Sequence, residues 1–239
     1  MKRDVVYGKS GMDLWQQGAQ KMYEMMAAVP ESQPIVLGLC GGRSVGGLLQ
    51  ALVPILEKAP KSLHSRLQLF LLDERVVPLN HSDSNYRLVS QAFLTPLIRG
   101  GVIKEAQQHP YEAEPGSAAA SCKAYYEELK KFGGRFSVVV LAIGEDGHVA
   151  GLFPKHPSLS VSESTFLSFN DSPKPPPSRM TASIPLLQAA SGAILMAVGE
   201  GKQVAYKRYM DPAVALEECP SKLVDQIDSV CVVTDLKVV

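Results

Sequence analysis

The chain has 239 residues, of which 46% are apolar and 20% charged, an ordinary composition for a folded protein with a sizeable core. Lys and Arg together number 24, as do Asp and Glu, so the net charge favours neither a nucleic acid nor a membrane surface as a partner. The length allows one large α/β domain or two small ones. A small anionic ligand is compatible with zero net charge, because its binding needs only a local group of cations.

The cysteines, histidines and apolar segments indicate a reduced, cytoplasmic protein that binds no metal. The four cysteines lie far apart without a CxxC pair, and the five histidines show no HxxxH spacing. The first ten residues lack the apolar core of a signal peptide, and no run approaches the ~18 apolar residues that a transmembrane helix needs. We therefore expect a cytoplasmic chain with neither a metal nor a membrane as a partner.

The first predicted elements are a helix, a buried strand and a second helix. Apolar periodicity predicts the first helix at 10–29, with Ser10 as its N-cap. An unbroken apolar run predicts a buried strand at 35–40, and the second helix is predicted to begin near Val45. Pro54 lies within this second helical pattern and is expected to divide it into two pieces.

The turn between this strand and the second helix has the composition of an anion-binding loop. It reads Gly41-Gly42-Arg43-Ser44. Free backbone N–H groups and the helix dipole favour negative charge at such a place. Arg43 adds a guanidinium and Ser44 a hydroxyl. The alternative interpretation is a tight turn that needs glycines only for its backbone.

The middle of the chain is predicted to contain a second buried strand, a polar loop and further helices. The strand is predicted at 67–72, and Asp73-Glu74-Arg75 follows at its carboxyl end. The polar loop leads into a helix of which Ser84 or Asn85 could be the N-cap. The other elements predicted here are a short strand near 102–103 and a helix at 117–132.

The next predicted strand ends in an imidazole. The apolar run 138–143 predicts a strand buried on both faces, and Gly144-Glu145-Asp146-Gly147-His148 follows it. Ligands of open α/β sheets bind at the carboxyl ends of strands, and a histidine there can exchange a proton near neutral pH. A polar turn that merely leaves the sheet is the alternative.

The last third of the chain begins with a segment rich in Ser and Pro, 155–178, which we expect to form an excursion over the surface. Lys202 is predicted to stand between a buried strand and a helix, much as Arg43 does. The predicted elements are a short strand at 166–169, an edge strand at 179–184, a helix starting at Pro185, buried strands at 193–198 and 230–233, and a helix at 203–210.

Strands and helices alternate throughout, which predicts one doubly wound α/β domain over residues 1–239, with a mostly parallel sheet and helices on both faces. The carboxyl ends of parallel strands share one edge, so the strand exits should meet there. Their cations, histidine, acids and glycine turn suit a small phosphorylated substrate and proton transfer. No dinucleotide, Walker or GxSxG motif is present.

Three blocks of the sequence resemble the signature blocks of 6-phosphogluconolactonases: GGRS at 41–44, DERVVPLNHSDSN at 73–85 and GEDGHVAGLFP at 144–154. RMTASIPLL at 179–187 and VGEGKQVAYKR at 198–208 are similar to later blocks of that family. The resemblance implies a Rossmann-like fold shared with glucosamine-6-phosphate deaminases. It also implies cofactor-free hydrolysis of 6-phosphogluconolactone to 6-phosphogluconate in the oxidative pentose phosphate pathway.

Glucosamine-6-phosphate deaminases are the nearest alternative. Their GxDGH block continues with Phe-Asn-Glu-Pro, whereas this chain has Gly151-Leu152-Phe153-Pro154, without an acid. Isomerisation and deamination need that extra carboxylate, so the resemblance favours the lactonase. A catalytically silent phosphosugar-binding regulator on the same fold is a third possibility. The chain departs from the lactonase pattern at Ser44, Val45 and Gly151, where the family has mostly Thr, Pro and Ser.

The resemblance gives the strand exits specific roles. We expect His148 to act as general base on a water that attacks the lactone carbonyl, with Asp146 orienting the imidazole or helping to hold the substrate. Asp73 and Asn85 would bind sugar hydroxyls or hold the loop, and an internal Asp73–Arg75 ion pair is the alternative. The candidates for the substrate phosphate are Gly42, Arg43, Ser44, Arg75, Arg179 and Lys202. The expected partner is the phosphosugar lactone, with no nucleic acid, and the chain is expected to be a monomer.

Overall fold

The protein is described by a computed structural model that covers residues 2–9, 11–113 and 117–237. Its strands are β1 (Lys2–Tyr7), β2 (Ile35–Leu39), β3 (Leu67–Leu71), β4 (Asp73–Arg75), β5 (Gln108–His109), β6 (Val138–Ala142), β7 (Phe166–Phe169), β8 (Arg179–Ala182), β9 (Gly192–Ala197) and β10 (Ser229–Thr234). Its helices are α1 (Met12–Ala27), α2 (Arg43–Glu57), α3 (Lys61–His64), α4 (Asn85–Val89), α5 (Thr95–Arg99), α6 (Ala118–Lys130), α7 (Ile184–Gln188) and α8 (Gln203–Met210), with a π-helical turn, Ser90–Leu94, between α4 and α5.

Seven strands form one parallel sheet in the spatial order β1-β10-β9-β6-β2-β3-β5. From β2 the chain first adds β3 on one side and later β6 on the other. The strand order therefore reverses between β2 and β6, and such a reversal opens a crevice at the carboxyl ends of the two strands. The prediction of a doubly wound, mostly parallel sheet is confirmed.

Helices cover both faces of this sheet. Phe70 of β3 packs against Tyr125 of α6, with ring centroids 5.5 Å apart. The strand register places Phe70 on the same face as Val230, so Val233 points to the opposite face. There a Cβ at Gly18 of α1 would lie 3.0 Å from Val233, so α1 packs directly on β10. Burial on both faces explains why β2, β6, β9 and β10 read as apolar runs.

A second, antiparallel sheet has the order β4-β8-β7. The strand predicted at 166–169 is confirmed as β7. The strand predicted at 179–184 is confirmed as β8, but its predicted edge position is wrong, because β7 and β4 flank β8 and all four of its residues are buried. The register pairs Arg179 with Arg75, so this small sheet carries two strand-borne cations to the edge where the large sheet opens.

The structure differs from the prediction at two other places, and a third prediction falls on a residue that the structure does not describe. Helix α2 runs uninterrupted past Pro54. Proline has no N–H to donate to the carbonyl of Gln50, but both residues are exposed, so water can bond to that carbonyl instead. The strand predicted at 102–103 is absent, because both N–H groups bond to the carbonyl of Leu97 in the turn after α5, and β5 forms that edge instead. Ser10 lies outside the described residues, and α1 begins at Met12 with Gly11 as N-cap.

Two further observations complete the fold. Strand β1 was not predicted, because its polar start and edge position leave no continuous apolar run. Among the described ranges, none of the helices combines the length and the apolar character needed to cross a bilayer.

Candidate active site

A cavity of about 270 Å³ opens where the strand order reverses, at the carboxyl ends of β2 and β6. Most of the residues predicted for the site meet in its wall. The predicted residues that line it are Gly42, Asp73, Arg75, Asn85, His148, Arg179 and Lys202, and their neighbours in the wall include Cys40, Gly41, Gly144, Phe153, Lys174 and Pro175.

Three predicted residues lie beside the cavity rather than in its wall. Arg43 and Ser44 are the first two residues of α2, because the helix begins two residues earlier than expected, with Gly42 as N-cap. Arg43 is exposed and Ser44 is half-buried. Asp146 is not part of the wall, and it contacts two residues that are, His148 and Lys174.

The imidazole of His148 is held by the turn from which it projects. Its Nδ1 lies 2.5 Å from Oδ1 of Asp146, and its backbone N–H donates to the same oxygen at 3.2 Å. The N–H of Gly144 donates to the carbonyl of His148 at 2.8 Å and closes the turn. Since an ionised carboxylate only accepts, we assign the proton to Nδ1, which leaves the lone pair on Nε2. Within the described part of the chain, Nε2 makes no hydrogen bond.

Gly144 and Phe153 confine the imidazole ring. A Cβ at Gly144 would lie 2.0 Å from Nδ1 of His148 and 2.1 Å from Cε1, so only glycine allows this approach. The ring of Phe153 stands 4.9 Å from the imidazole, centroid to centroid. The histidine therefore has one well-defined position next to the cavity.

The charge of Asp146 is maintained by its neighbours. Burial by itself would raise the pKa of this carboxyl, but its hydrogen bonds with His148, together with Lys174, hold the pKa well below its usual range. The ammonium of Lys174 lies 3.2 Å from Oδ2 of Asp146. From the other side, Arg208 of α8 donates to the backbone carbonyl of Asp146 at 3.2 Å. Asp146 is therefore an anion fixed at both its carboxylate and its backbone.

Asp73 and Asn85 form a second polar pair across the cavity wall. The amide of Asn85 donates to the backbone carbonyl and to Oδ2 of Asp73, both at 2.9 Å. Oδ1 of Asp73 is buried and has no partner among the described residues. Burial raises the pKa of Asp73, against the opposing charges of Arg75 and Arg179. No ion pair within 4.0 Å joins Asp73 to Arg75 in the described chain, although the sequence left that pairing open.

Glu74 builds the loop that carries Asn85. Its buried carboxylate accepts from the N–H groups of Asn85 and Tyr86, both at 2.8 Å, and from the hydroxyl of Ser84 at 3.0 Å. Burial raises the pKa of Glu74. Ser84, not Asn85, is the N-cap of α4, since its hydroxyl accepts from the N–H of Arg87. Asn85 is thus free to bridge the strand exits.

The glycine turn packs against this bridge. A Cβ at Gly41 would lie 1.9 Å from Oδ1 of Asn85. Gly42 adopts a φ of 116°, in the region that favours glycine. Gly41 is therefore required by the close approach of Asn85 and Gly42 by its backbone conformation, and the same turn still forms one wall of the cavity.

The cations of the site fall into two groups. Arg75 and Arg179 lie side by side on β4 and β8, and each has a buried Nε without a partner in the described chain. Lys202 lies on the opposite side, where burial lowers its pKa and the nearby charge of Arg43 lowers it further. A dianionic ligand spanning the cavity can therefore meet a cation at either end.

Sequence reasoning did not assign Phe153, Lys174 or Arg208 a role in the site. Lys174 stands inside the proline cluster at 173–177, where we expected an extended surface segment. Its position five residues before Arg179 was the available signal, because Arg179 opens a strand that enters the site. Arg208 belongs to the block at 198–208, which drew attention to Lys202 alone.

Comparison with known proteins gives a consistent picture. The family model described as "Glucosamine-6-phosphate isomerases/6-phosphogluconolactonase" matches residues 9–233. A 6-phosphogluconolactonase of Homo sapiens is 35% identical over 182 residues, which cover 73% of this chain and 68% of the relative.

Solved structures with the same fold carry two different activities. A 6-phosphogluconolactonase from Trypanosoma cruzi superposes with a TM-score of 0.81 at 23% identity, over 98% of this chain and 94% of the other. A monomeric glucosamine-6-phosphate deaminase superposes with a TM-score of 0.79 at 18% identity, over 97% and 96% of the two chains. The fold alone does not separate the two reactions, so the residues of the cavity must.

Proposed function

The chain belongs to the family of glucosamine-6-phosphate isomerases and 6-phosphogluconolactonases, and we propose that within it the chain is a 6-phosphogluconolactonase. It hydrolyses 6-phosphoglucono-1,5-lactone to 6-phosphogluconate in the oxidative pentose phosphate pathway. The names of the curated relatives support this activity. The His148–Asp146 pair beside a cavity lined by cations supports it chemically.

The observation that carries the choice of reaction is the side chain at position 153. Where the deaminase stretch has Glu, this chain has Phe153, whose ring packs on the imidazole of His148. Position 151 has no room for an acidic side chain either, since a Cβ at Gly151 would already lie 2.8 Å from Cβ of Thr181. Ring opening and proton shuttling by a Glu–His pair are therefore not supported, whereas water activation by His148 needs no second carboxylate.

In the proposed mechanism, Nε2 of His148 takes a proton from a water molecule while the oxygen of that water bonds to the lactone carbonyl carbon. Asp146 stabilises the resulting imidazolium through Nδ1. The tetrahedral intermediate then breaks its bond to the ring oxygen, which receives the proton from Nε2 and becomes a hydroxyl. General-base assistance of this kind contributes about 10²- to 10⁴-fold in rate.

We assign the substrate phosphate to the side of the cavity formed by Lys202 and the start of α2. Gly42 lines the cavity as the N-cap of α2 and the turn offers backbone N–H groups, while the hydroxyl of Ser44 and the guanidinium of Arg43 stand beside the cavity. The opposite cations, Arg75 and Arg179, then face the developing oxyanion and the sugar hydroxyls. Asp73 and Asn85 complete that wall as acceptor and donor.

A direct assay tests the proposed function. The purified protein is given 6-phosphogluconolactone, with acid release followed and corrected for spontaneous hydrolysis, and separately glucosamine 6-phosphate, with ammonia release followed. We expect turnover of the lactone only. Ammonia release would indicate a deaminase, and binding of 6-phosphogluconate without turnover of either compound would indicate a regulator.

Lys202→Met tests the assignment of the phosphate. Loss of a charge-assisted contact is expected to raise KM for the lactone roughly 10- to 100-fold. Because the phosphate is bound equally in the ground and transition states, kcat should change little. Lys207→Met, an exposed position on α8, is the matched control with the same change in charge. An unchanged KM for Lys202→Met would move the phosphate to the Arg75 and Arg179 side.

The remaining expectations extend this proposal. We also propose that the enzyme is a monomer built from a single lactonase-type domain over residues 1–239. The partner we propose is the phosphosugar lactone, with no nucleic acid and no cofactor. A cytoplasmic location is part of this proposal, and the pathway and the four free cysteines support it.

A further inference from the structure

Residues 170–178 form a strap that lies across one side of the cavity. The strap is anchored at its start by a hydrogen bond between Nε2 of His156 and Oδ1 of Asp171, which lie 3.1 Å apart. The hydroxyl of Ser172 donates to the carbonyl of Lys174 at 2.9 Å. The guanidinium of Arg179 donates to the carbonyls of Lys174 and Pro175 at 3.2 and 2.9 Å. These contacts fix the backbone of the strap at the residue that faces the cavity.

The side chain of that residue reaches the His148–Asp146 pair. Nζ of Lys174 lies 3.2 Å from Oδ2 of Asp146, the oxygen that His148 does not use. Nζ also lies 3.4 Å from Nδ1 of His148. Since the proton on Nδ1 is directed to Asp146, this second distance is the proximity of a positive charge and not a hydrogen bond. His148, Asp146 and Lys174 thus form a cluster of three side chains, two from the turn after β6 and one from the strap.

We propose that Lys174 is a positioning residue for the general base: its ammonium fixes Asp146 for the imidazole of His148, and its positive charge, 3.4 Å from Nδ1, opposes a second positive charge on that ring. The catalytic part of this inference rests on the proposed lactonase activity. The structural part, an ammonium that opposes protonation of His148, does not depend on the substrate.

The geometry explains why both effects act in the same direction. A cation close to the imidazole opposes the charge of the imidazolium. The same cation shares the charge of Asp146, which would otherwise stabilise the imidazolium more strongly. Removal of the ammonium therefore makes His148 easier to protonate on both counts. The other charged groups around His148, which stay constant in the comparison, are Asp73 on β4, Arg75, Arg179 on β8, Lys202 and, through the backbone of Asp146, Arg208 on α8.

The test compares three variants with the native protein. Lys174→Met removes the charge but keeps the length of the side chain, and Lys174→Arg keeps the charge. Lys130→Met is the matched control, because Lys130 is exposed on α6 and pairs only with Glu127 and Tyr126 in the described chain. For each protein, kcat/KM for the lactone is measured from pH 5 to 8, where titration of the substrate phosphate is common to all.

We expect the acidic limb of the kcat/KM profile to move about one pH unit toward higher pH in Lys174→Met. We also expect the plateau above it to fall about tenfold, because Asp146 loses its second anchor. Lys174→Arg should restore the position of the limb, and Lys130→Met should follow the native profile. A Lys174→Met limb that coincides with the native one would overturn the proposal, since a merely structural lysine would lower the plateau without moving the limb.

A second measurement needs no turnover. The imidazole NMR signals of His148, assigned by comparison with His148→Asn, are titrated in the resting native protein and in Lys174→Met, or in Lys174→Gln if the Met variant does not fold. We expect a midpoint about one pH unit higher without the ammonium, and equal midpoints would contradict the inference. If the native protein had no lactonase activity, this titration would still decide the role of Lys174.

Discussion

Replacing His148 with Asn is expected to lower kcat/KM for the lactone by about 10²- to 10⁴-fold, the range typical for loss of a general base. The amide of Asn can still bond to Asp146, but it cannot take a proton from water. The loss should fall on kcat more than on KM, because the imidazole acts on the reacting water and not on the phosphate. Initial rates of acid release, corrected for spontaneous hydrolysis, measure the effect.

The design of this variant separates chemistry from folding. His64→Asn is the control. His64 lies on α3, which leads into the amino end of β3, whereas the cavity lies at the carboxyl ends of the strands. Near-native activity is expected for it. Thermal unfolding of both variants checks that the fold is retained. Undiminished turnover by folded His148→Asn would refute the general-base role and leave the cations and backbone N–H groups as the source of catalysis.

The large sheet could be predicted because its strands are buried on both faces. Five strands, β2, β3, β6, β9 and β10, each read as a short apolar run, and the parallel order then places their carboxyl ends together. This is why His148, Lys202 and the glycine turn could be assigned to one site before their geometry was known. The apolar run of each strand can be read from a few neighbouring residues, and the rules for connecting parallel strands hold for α/β sheets in general.

The small sheet could not be predicted in the same way. Strand β4 has three polar residues, and only its pairing with β8, more than a hundred residues later, defines it as a strand. Burial of Arg179 follows from that pairing and from β7 on its other side. The position of Lys174 depends in turn on Arg179, which holds the strap through two carbonyl groups. A chain of tertiary contacts leaves no periodic signal in the sequence.

Arg43 shows the opposite limit, a residue placed correctly in the chain whose side chain points differently. The turn composition located it beside the proposed phosphate site, but α2 begins at Arg43 itself, and the side chain of Arg43 is exposed to solvent. The contribution of Arg43 to the phosphate is therefore expected to be smaller than that of Lys202, which lines the cavity.

Gly144→Ala is expected to lower kcat/KM for the lactone at least about 10²-fold, although it removes no functional group. The added methyl would lie 2.0 Å from Nδ1 of His148 and 2.8 Å from Oδ1 of Asp146, in the middle of their hydrogen bond. The backbone cannot easily yield, because its N–H and carbonyl both bond within the turn, to His148 and Gly147. The imidazole must therefore leave its position, and small displacements of catalytic groups cost about this much.

Two comparisons make the prediction specific to the imidazole. Gly46→Ala in α2, where the nearest atom would lie 3.7 Å from the new Cβ, should keep native activity and gain up to about 1 kcal/mol of stability. The double variant Gly144→Ala, His148→Asn should be no slower than His148→Asn alone, because both changes act on the same group. If the two losses instead multiplied, Gly144 would have a function of its own, such as an N–H that contacts the oxyanion, and the steric argument would be insufficient.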